Sequence, residues 1–395
     1  MTFIIVLAVA LAVAYRVTTA AERERFIRFA AQVTANALPR AEIEPFRAIL
    51  RARTPLAPVT PSLAALNATI FVAMLLDPRL LGDPDTLVAW GGNFGPRTAN
   101  GEWWRLITAL FVHSSLLHLL VHVVGLVPLG LVLERLVGPV AFAAVYLASG
   151  IFSGLFSISA FPMTVSVGAS GAIAGVYGLM LAASMWGVIN RPRLKIPLVA
   201  IKWLAGSLVV FMTYTLATGT VAAVGVGFVT GLLCGLVVAR DVNERRSPAV
   251  RVAAIVTTTI VIAIATAVPL RGITDALPEI DGIVALEERT SRTYRTAANQ
   301  FTAGRISAEA LAEVIDEIMP ELRAMRARVE LLDKLPREQR PLVAAAEEYL
   351  QLRDESWRIR SEALRRHSMR MLREADEKEA ASLEALAKST DGPDR

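Results

Sequence analysis

Apolar residues along this chain fall in long blocks, not in the short periodic stripes of water-facing elements. Six blocks follow one another at about 62–81, 106–127, 139–158, 169–189, 196–218 and 220–239, and a seventh runs over about 250–270. Each approaches the roughly 20 apolar residues a helix needs to cross a bilayer, so the pattern predicts seven spans. An earlier apolar stretch, 2–15, is short for a span and is followed by Arg16, Arg23, Arg25 and Arg28. No positive charge precedes it and no small-residue cleavage site is clear. That argues against a cleaved leader and for a reverse anchor or a helix lying in the interface. Residues 17–60 read as a polar, partly amphipathic segment ending in a linker with Pro55, Pro58 and Pro61.

After residue 271 the pattern changes. Leu311, Val314, Ile315, Ile318, Leu322, Met325, Val329 and Leu332 follow helical spacing, and Leu342, Ala345, Tyr349, Leu352 and Trp357 do so again. Ser307 is placed to cap the first helix, and Pro336 and Pro341 mark a turn. The chain is therefore read as an all-α polytopic membrane protein in four parts. These are an anchor and basic linker (1–60), a membrane core (61–240), a seventh span (241–271) and a soluble antiparallel helical domain (272–395). The highly charged stretch 370–395 is expected to fray.

Composition sharpens this picture. A mean hydropathy of +0.48 with 54% hydrophobic residues excludes a single soluble domain. The net charge of +5 is modest. The loops carry a charge bias: Arg191, Arg193 and Lys195 sit in one, Arg240, Arg245, Arg246 and Arg251 in another, and Glu134 and Arg135 in a third. If the spans alternate, all three lie on one side, cytoplasmic by the positive-inside rule. The loop 82–104 and the C-terminal domain then face outward, periplasmic or extracellular in a bacterial cell membrane. This distribution suits membrane orientation and not nucleic-acid binding. Cys234 stands alone, so no internal disulfide forms.

Polar residues inside apolar helices are costly and mark functional candidates. His113, His118 and His122 fall in the second block, and the last two share a helix face. They suit hydrogen-bond donation to an oxyanion, or the satisfaction of buried polar groups in a bundle core. A metal is not expected: an HExxH site needs a glutamate where Leu119 stands, and no later span supplies an acidic ligand. No cofactor is implied. His367 is lone and expected to face solvent. Ser170 opens the fourth block in Gly168-Ala169-Ser170-Gly171, where helix N–H groups and the dipole favour negative charge. Gly171, Gly175 and Gly178, like Gly227, Gly231 and Gly235, also suit close helix packing.

Taken together, Gly101-Glu102-Trp103-Trp104-Arg105, His113 and His118, Gly130, Glu134 and Arg135, Gly168-Ala169-Ser170-Gly171 and the glycine-rich sixth block ending GFVTGLLCG resemble a rhomboid-family intramembrane serine protease. The resemblance covers about 61–240. It implies a rhomboid-like six-helix bundle in which Ser170 attacks the scissile carbonyl of a client's transmembrane segment. His118 and the residue four positions later would hold the oxyanion, with Gly168, Ala169 and Gly171 as backbone support. The implied partners are transmembrane clients and the bilayer. Three positions depart from the family pattern. His122 replaces an asparagine, Ala174 replaces a frequent aromatic, and Val224 stands where a sixth-span histidine, the base, is expected three residues before Gly227. Two functions follow: an endopeptidase in which His122 substitutes as base, or a pseudoprotease that binds or chaperones clients. A transporter is disfavoured, because no inverted repeat and few intramembrane acids are present.

Overall fold

In a computed structural model, residues 48–52, 54–77, 79–190, 198–240 and 248–390 are described. The apolar stretch 2–15, most of the linker after it, Arg191, Arg193, Lys195, Arg245 and Arg246 lie outside the described residues. The chain divides into two compact units, 1–271 and 272–395.

The first unit is helical. Its elements are α1 (Val59–Leu75), three short helices α2 (Pro84–Ala89), α3 (Gly95–Thr98) and α4 (Arg105–Thr108), then α5 (Leu116–Val137), α6 (Pro139–Ala160), α7 (Ser170–Asn190), α8 (Leu198–Ala217), α9 (Val221–Val238) and α10 (Ala249–Ala267). Among the described residues, four helices are long and apolar enough to cross a membrane: Leu116–Val137, Pro139–Ala160, Val221–Val238 and Ala249–Leu270. Val59–Leu75, Ser170–Trp186 and Ala205–Ala217 are apolar but shorter.

The second block is displaced from its predicted bounds of 106–127. Residues 105–115 form α4, a 3₁₀ turn over Ala109–Phe111 and a loop, and the long helix begins only at Leu116. Ser115 decides this start: its extended backbone and its hydroxyl, which accepts from the His118 N–H, make it an N-cap. His113 consequently precedes the helix, and Glu134 and Arg135, expected in a loop, occupy its last turn. Gly138, with φ of 97°, turns the chain, and Pro139 opens α6 at a position where a missing N–H costs nothing.

The core is organised by backbone contact between α7 and α9. A Cβ built on Gly227 would stand 2.1 Å from the Gly171 carbonyl oxygen, and one on Gly231 would stand 1.9 Å from that of Gly175. On the other flank of α7, a Cβ on Gly171 would meet Ser153 of α6 at 2.2 Å. No side chain larger than hydrogen fits these seams. Around them Phe142, Tyr146, Ile173, Val176, Leu179 and Phe211 are fully buried.

The second unit comprises α11 (Leu277–Thr302), α12 (Ala308–Glu330), α13 (Arg340–Arg365) and α14 (Met369–Thr390). Ser307 caps α12 as expected, its hydroxyl accepting from Ala310 N, and His367 is exposed. The stretch expected to fray is instead helical through Thr390. Its acidic residues pair with arginines of α13: Glu379 with Arg353 and Arg360, Asp376 with Arg360. Arg353 is itself fully buried, donating to Glu287 through Nε at 3.0 Å and Nη2 at 2.7 Å.

Two measurements follow. Gly231→Val should lower thermal stability in detergent by about 3 kcal/mol through overpacking, while Gly206→Ala, whose Cβ meets nothing within 4 Å, should leave the midpoint unchanged. In the C-terminal unit, burial opposes ionisation of Glu379, but the Arg353 and Arg360 guanidiniums outweigh it and hold the carboxyl below its ordinary 4.5. The unfolded state binds more protons at this group. Its stabilisation is therefore complete above the ordinary value and is lost as pH falls through the lower folded-state value. Acid unfolding followed by Trp357 fluorescence should begin at higher pH in Glu379→Gln.

Candidate active site

The site forms where the 161–169 loop meets the N-termini of α5 and α7. The loop is fixed by a two-bond bridge, Asn93 N–H to Ser166 O at 2.9 Å and Ser166 N–H to Asn93 O at 2.8 Å. The Asn93 side chain donates to Gly154 O at 3.0 Å and accepts from Thr98 Oγ1 at 2.8 Å. Beside it, Arg105 Nη1 donates to Val88 O and to Gly92 O, and Nε reaches the Glu102 carboxylate. The exposed Trp104 ring lies 4.5 Å from the Arg105 guanidinium. Arg105, with Trp104 against it, thus secures the 88–102 loop on which the serine loop is pinned.

Gly168 N–H donates to Ala109 O at 2.8 Å, and its φ is +95°. A Cβ there would lie 2.5 Å from His118 Nε2 and 2.7 Å from His122 Cε1. Only glycine lets the backbone take this left-handed turn and rest on two imidazoles. Ala169 is buried, and Ser170 is the first residue of α7.

The three histidines form one cluster, with ring centroids 4.4–5.1 Å apart. His113 Nδ1 meets Phe111 O at 3.2 Å. A carbonyl only accepts, so Nδ1 carries the hydrogen. His113 Nε2 lies 3.0 Å from His122 Nδ1. The Ala169 N–H is also directed at His122 Nδ1, at 3.3 Å. His122 Nε2 is buried and makes no hydrogen bond. His118 Nδ1 pairs with Ser114 Oγ at 3.1 Å. Tyr214 of α8 stacks on His118 at 5.5 Å, and Phe211 lies 6.2 Å from His122. None of these histidine hydrogen bonds goes to Ser170.

A cavity of about 420 Å³ is lined by Ser170, Gly168, Gly171, His118, Ser153 and Tyr214, among others. His122, 1% exposed, stands behind Gly168 and outside this lining. The cavity therefore brings together Ser170 and His118, with His122 one layer deeper. The glycine seam locates Val224. Pairing Gly171 with Gly227 and Gly175 with Gly231 sets α7 and α9 parallel, so Val224, one turn before Gly227, stands level with Gly168. Val224 is 3% exposed and presents only hydrocarbon.

Glu134 and Arg135 are not part of this assembly. They lie about 24 Å along α5 from His118 by helix rise. There Glu134 accepts from Val59 N at 2.8 Å and Thr60 N at 2.7 Å, closing the N-terminus of α1, and Arg135 Nη1 donates to Thr54 O and Pro55 O. Ser114, Ser115, Asn93 and Tyr214 were missed in the sequence. The serine pair carried a signal, an N-cap residue just before a helical run. Asn93 and Tyr214 carried none, because only folding brings them to the loop and the imidazole. Among the described residues no cluster of ligands suits a metal ion.

Residues 100–241 match the family model of the rhomboid domain. Similar proteins include the putative rhomboid protease YdcA of Bacillus subtilis, 36% identical over 31% of this chain and 61% of its own length. The rhomboid protease GluP of the same organism is 39% identical over 26% of this chain and 20% of its own. The inactive RHOMBOID-like protein 8 of Arabidopsis thaliana is 32% identical over 30% and 35%. The chain thus spans less than two thirds of the length of these curated relatives. No solved structure matches it significantly. Its apolar helices, serine loop and histidine cluster fall within or beside the matched segment, and residues 100–241 of this integral membrane protein are a rhomboid-family domain.

Proposed function

We propose that this chain binds transmembrane segments of client proteins in the Ser170 cavity without hydrolysing them. The observation that carries this reading is Val224 at the level of the serine loop. A hydroxyl is a weak nucleophile until a base takes its proton, and valine takes none. Losing the base of a serine hydrolase costs on the order of 10⁴–10⁶ in rate. The separation of Ser170 from every histidine hydrogen bond supports the same conclusion, as does similarity to a relative named inactive. The N-terminus of α7 and His118 would still offer hydrogen bonds to a client's carbonyl groups.

The second reading is an endopeptidase with Ser170 as nucleophile and His118 or His122 in place of the lost base. The unpartnered His122 Nε2 and the position of His118 on the cavity wall favour it. The loop charges support an orientation in a bacterial cell membrane with 272–395 outside.

A serine-directed fluorophosphonate should leave the purified protein unlabelled, and a helix-destabilised transmembrane substrate should stay intact over the level set by Ser170→Ala. Val224→His should gain both labelling and cleavage, and Ser170→Ala in that background should remove them. Cleavage by the unchanged protein that Ser170→Ala abolishes would sink the binding-only reading, and its loss in His122→Ala would then identify the base.

A further inference from the structure

Helix α10 packs on the rest of the membrane unit toward its two ends and leaves a gap between. Near its start, Val252 and Ile255 belong to the main buried cluster, as does Val238 of α9. Toward its end, Ala263 and Ala267, with Leu270 just beyond, pack on the cluster of Leu106, Leu155 and Ile158. A cavity of about 620 Å³ lies between α9, α10 and α6, a size within the range of small-ligand pockets. On α9 its wall is Val226, Thr230, Leu233 and Val237, one stripe of the helix, with Cys234 beside it. On α10 the wall is Ala254, Thr258, Ile262 and Thr266, spaced four apart, and Phe152, Leu155 and Phe156 close it from α6.

The cavity is open at the side: Leu233 is 59% exposed, Ile262 45% and Val237 42%. Both α9 and α10 are long and apolar enough to cross a membrane, so this opening faces acyl chains and not water. The Thr230 and Thr266 hydroxyls are spent within their own helices, donating to Val226 O and Ile262 O. Such walls suit hydrocarbon. One end carries charge. Arg240 follows Val237 by about 4.5 Å of helix rise, and Arg251 stands one turn before Ala254 and Ile255. The Arg240 guanidinium lies 5.9 Å from the Trp186 ring, whose Nε1 donates to Leu236 O at 3.0 Å. Tryptophan and arginine at one level mark a membrane interface. From Val237 the α9 stripe runs about 16 Å to Val226, roughly half of a 30 Å hydrocarbon core and so the depth of one leaflet. Basic pockets between spans take anionic lipid head groups. No residue lines both this cavity and the Ser170 cavity.

We propose that the cleft between α9 and α10 binds an anionic phospholipid, with one acyl chain in the cavity and the phosphate at Arg240 and Arg251. The lipid fills the gap that direct packing leaves and fastens α10 to the core.

Cys234 is the only cysteine of the chain and lines the cavity, so its alkylation reports occupancy. The full chain, delipidated in detergent, is treated with N-ethylmaleimide with and without dioleoyl phosphatidylglycerol. At about ten times the dissociation constant of the lipid, the alkylation rate should fall about tenfold. Dioleoyl phosphatidylcholine, with the same chains and no net charge, should protect several-fold less. Glycerol 3-phosphate, with the charge and no chain, should not protect. Equal protection by the two lipids, protection by glycerol 3-phosphate, or no protection by any of them overturns the proposal. Thr258→Phe, which fills the cavity, should remove the phosphatidylglycerol adduct seen by native mass spectrometry of the unchanged chain; an adduct of unchanged abundance puts the lipid elsewhere and refutes the site. Arg240→Gln with Arg251→Gln should make the two lipids equivalent, and a surviving preference for phosphatidylglycerol removes the phosphate from these arginines and counts against the proposal. Should either variant misfold, the comparison of lipids on the unchanged chain decides by itself.

Discussion

The contact of bare backbone between α7 and α9 is the constraint on which the membrane unit depends. Where Gly227 and Gly231 sit on the carbonyls of Gly171 and Gly175, the two helices approach more closely than any side chain allows. Within a bilayer, where apolar burial gives no advantage over lipid, such close packing is a principal source of helix association. The same contact fixes the register of the site. Ser170 immediately precedes the first glycine of one face, and Val224 lies one turn before the first glycine of the other. Ser149 and Ser153 of α6 close on the opposite flank of α7, so the serine-bearing helix is gripped on two sides and its first turn has little freedom.

Above that seam the site is built on imidazoles. Gly168 can lie across His118 and His122 only because it has no Cβ, and its left-handed turn delivers Ser170 to the start of α7. His113 and His122 satisfy one another, and Phe111 O fixes which nitrogen of His113 carries the hydrogen. The histidines thereby serve first as a rigid floor for the serine loop. Ser170 and His118 face a common cavity, while His122 lies beneath. The chemistry available to the cavity is hydrogen-bond donation from a helix terminus and an imidazole, with hydrocarbon at the level where a proton acceptor would complete a hydrolase. This is the physical basis for reading the rhomboid domain as a client-binding one.

The C-terminal unit uses a different economy of forces. Its first three helices share an apolar core that includes Ile283, Ile315, Leu322, Tyr349 and Trp357. Its fourth helix adds Ala385, Leu372 and Leu386 to that core and gives carboxylates to the arginines of α13. Arg353 is buried among groups of opposite charge, and its hydrogen bonds to Glu287 offset the cost of removing it from water. Charge that would leave an isolated segment frayed becomes the means by which α14 stays folded.

The sequence alone determined the all-helical, polytopic class, the boundary near residue 271, the cap at Ser307 and the motif around Ser170. All of these are local: block length, helical spacing, cap chemistry and glycine placement are written in consecutive residues. The start of α5 was misjudged by ten residues, because the apolar content of 106–115 outweighed the Ser115 cap. The 370–390 stretch was misjudged because its partners, Arg353 and Arg360, lie on another helix and a run of like composition looks solvated until they are in place. Only the tertiary structure decided which histidines reach the cavity, that Asn93 pins the serine loop, that Glu134 closes the end of α1, and that Val224 stands level with Gly168. Each of these depends on groups far apart in the chain meeting within a few ångströms, and sequence spacing carries no information about that distance until the helices pack.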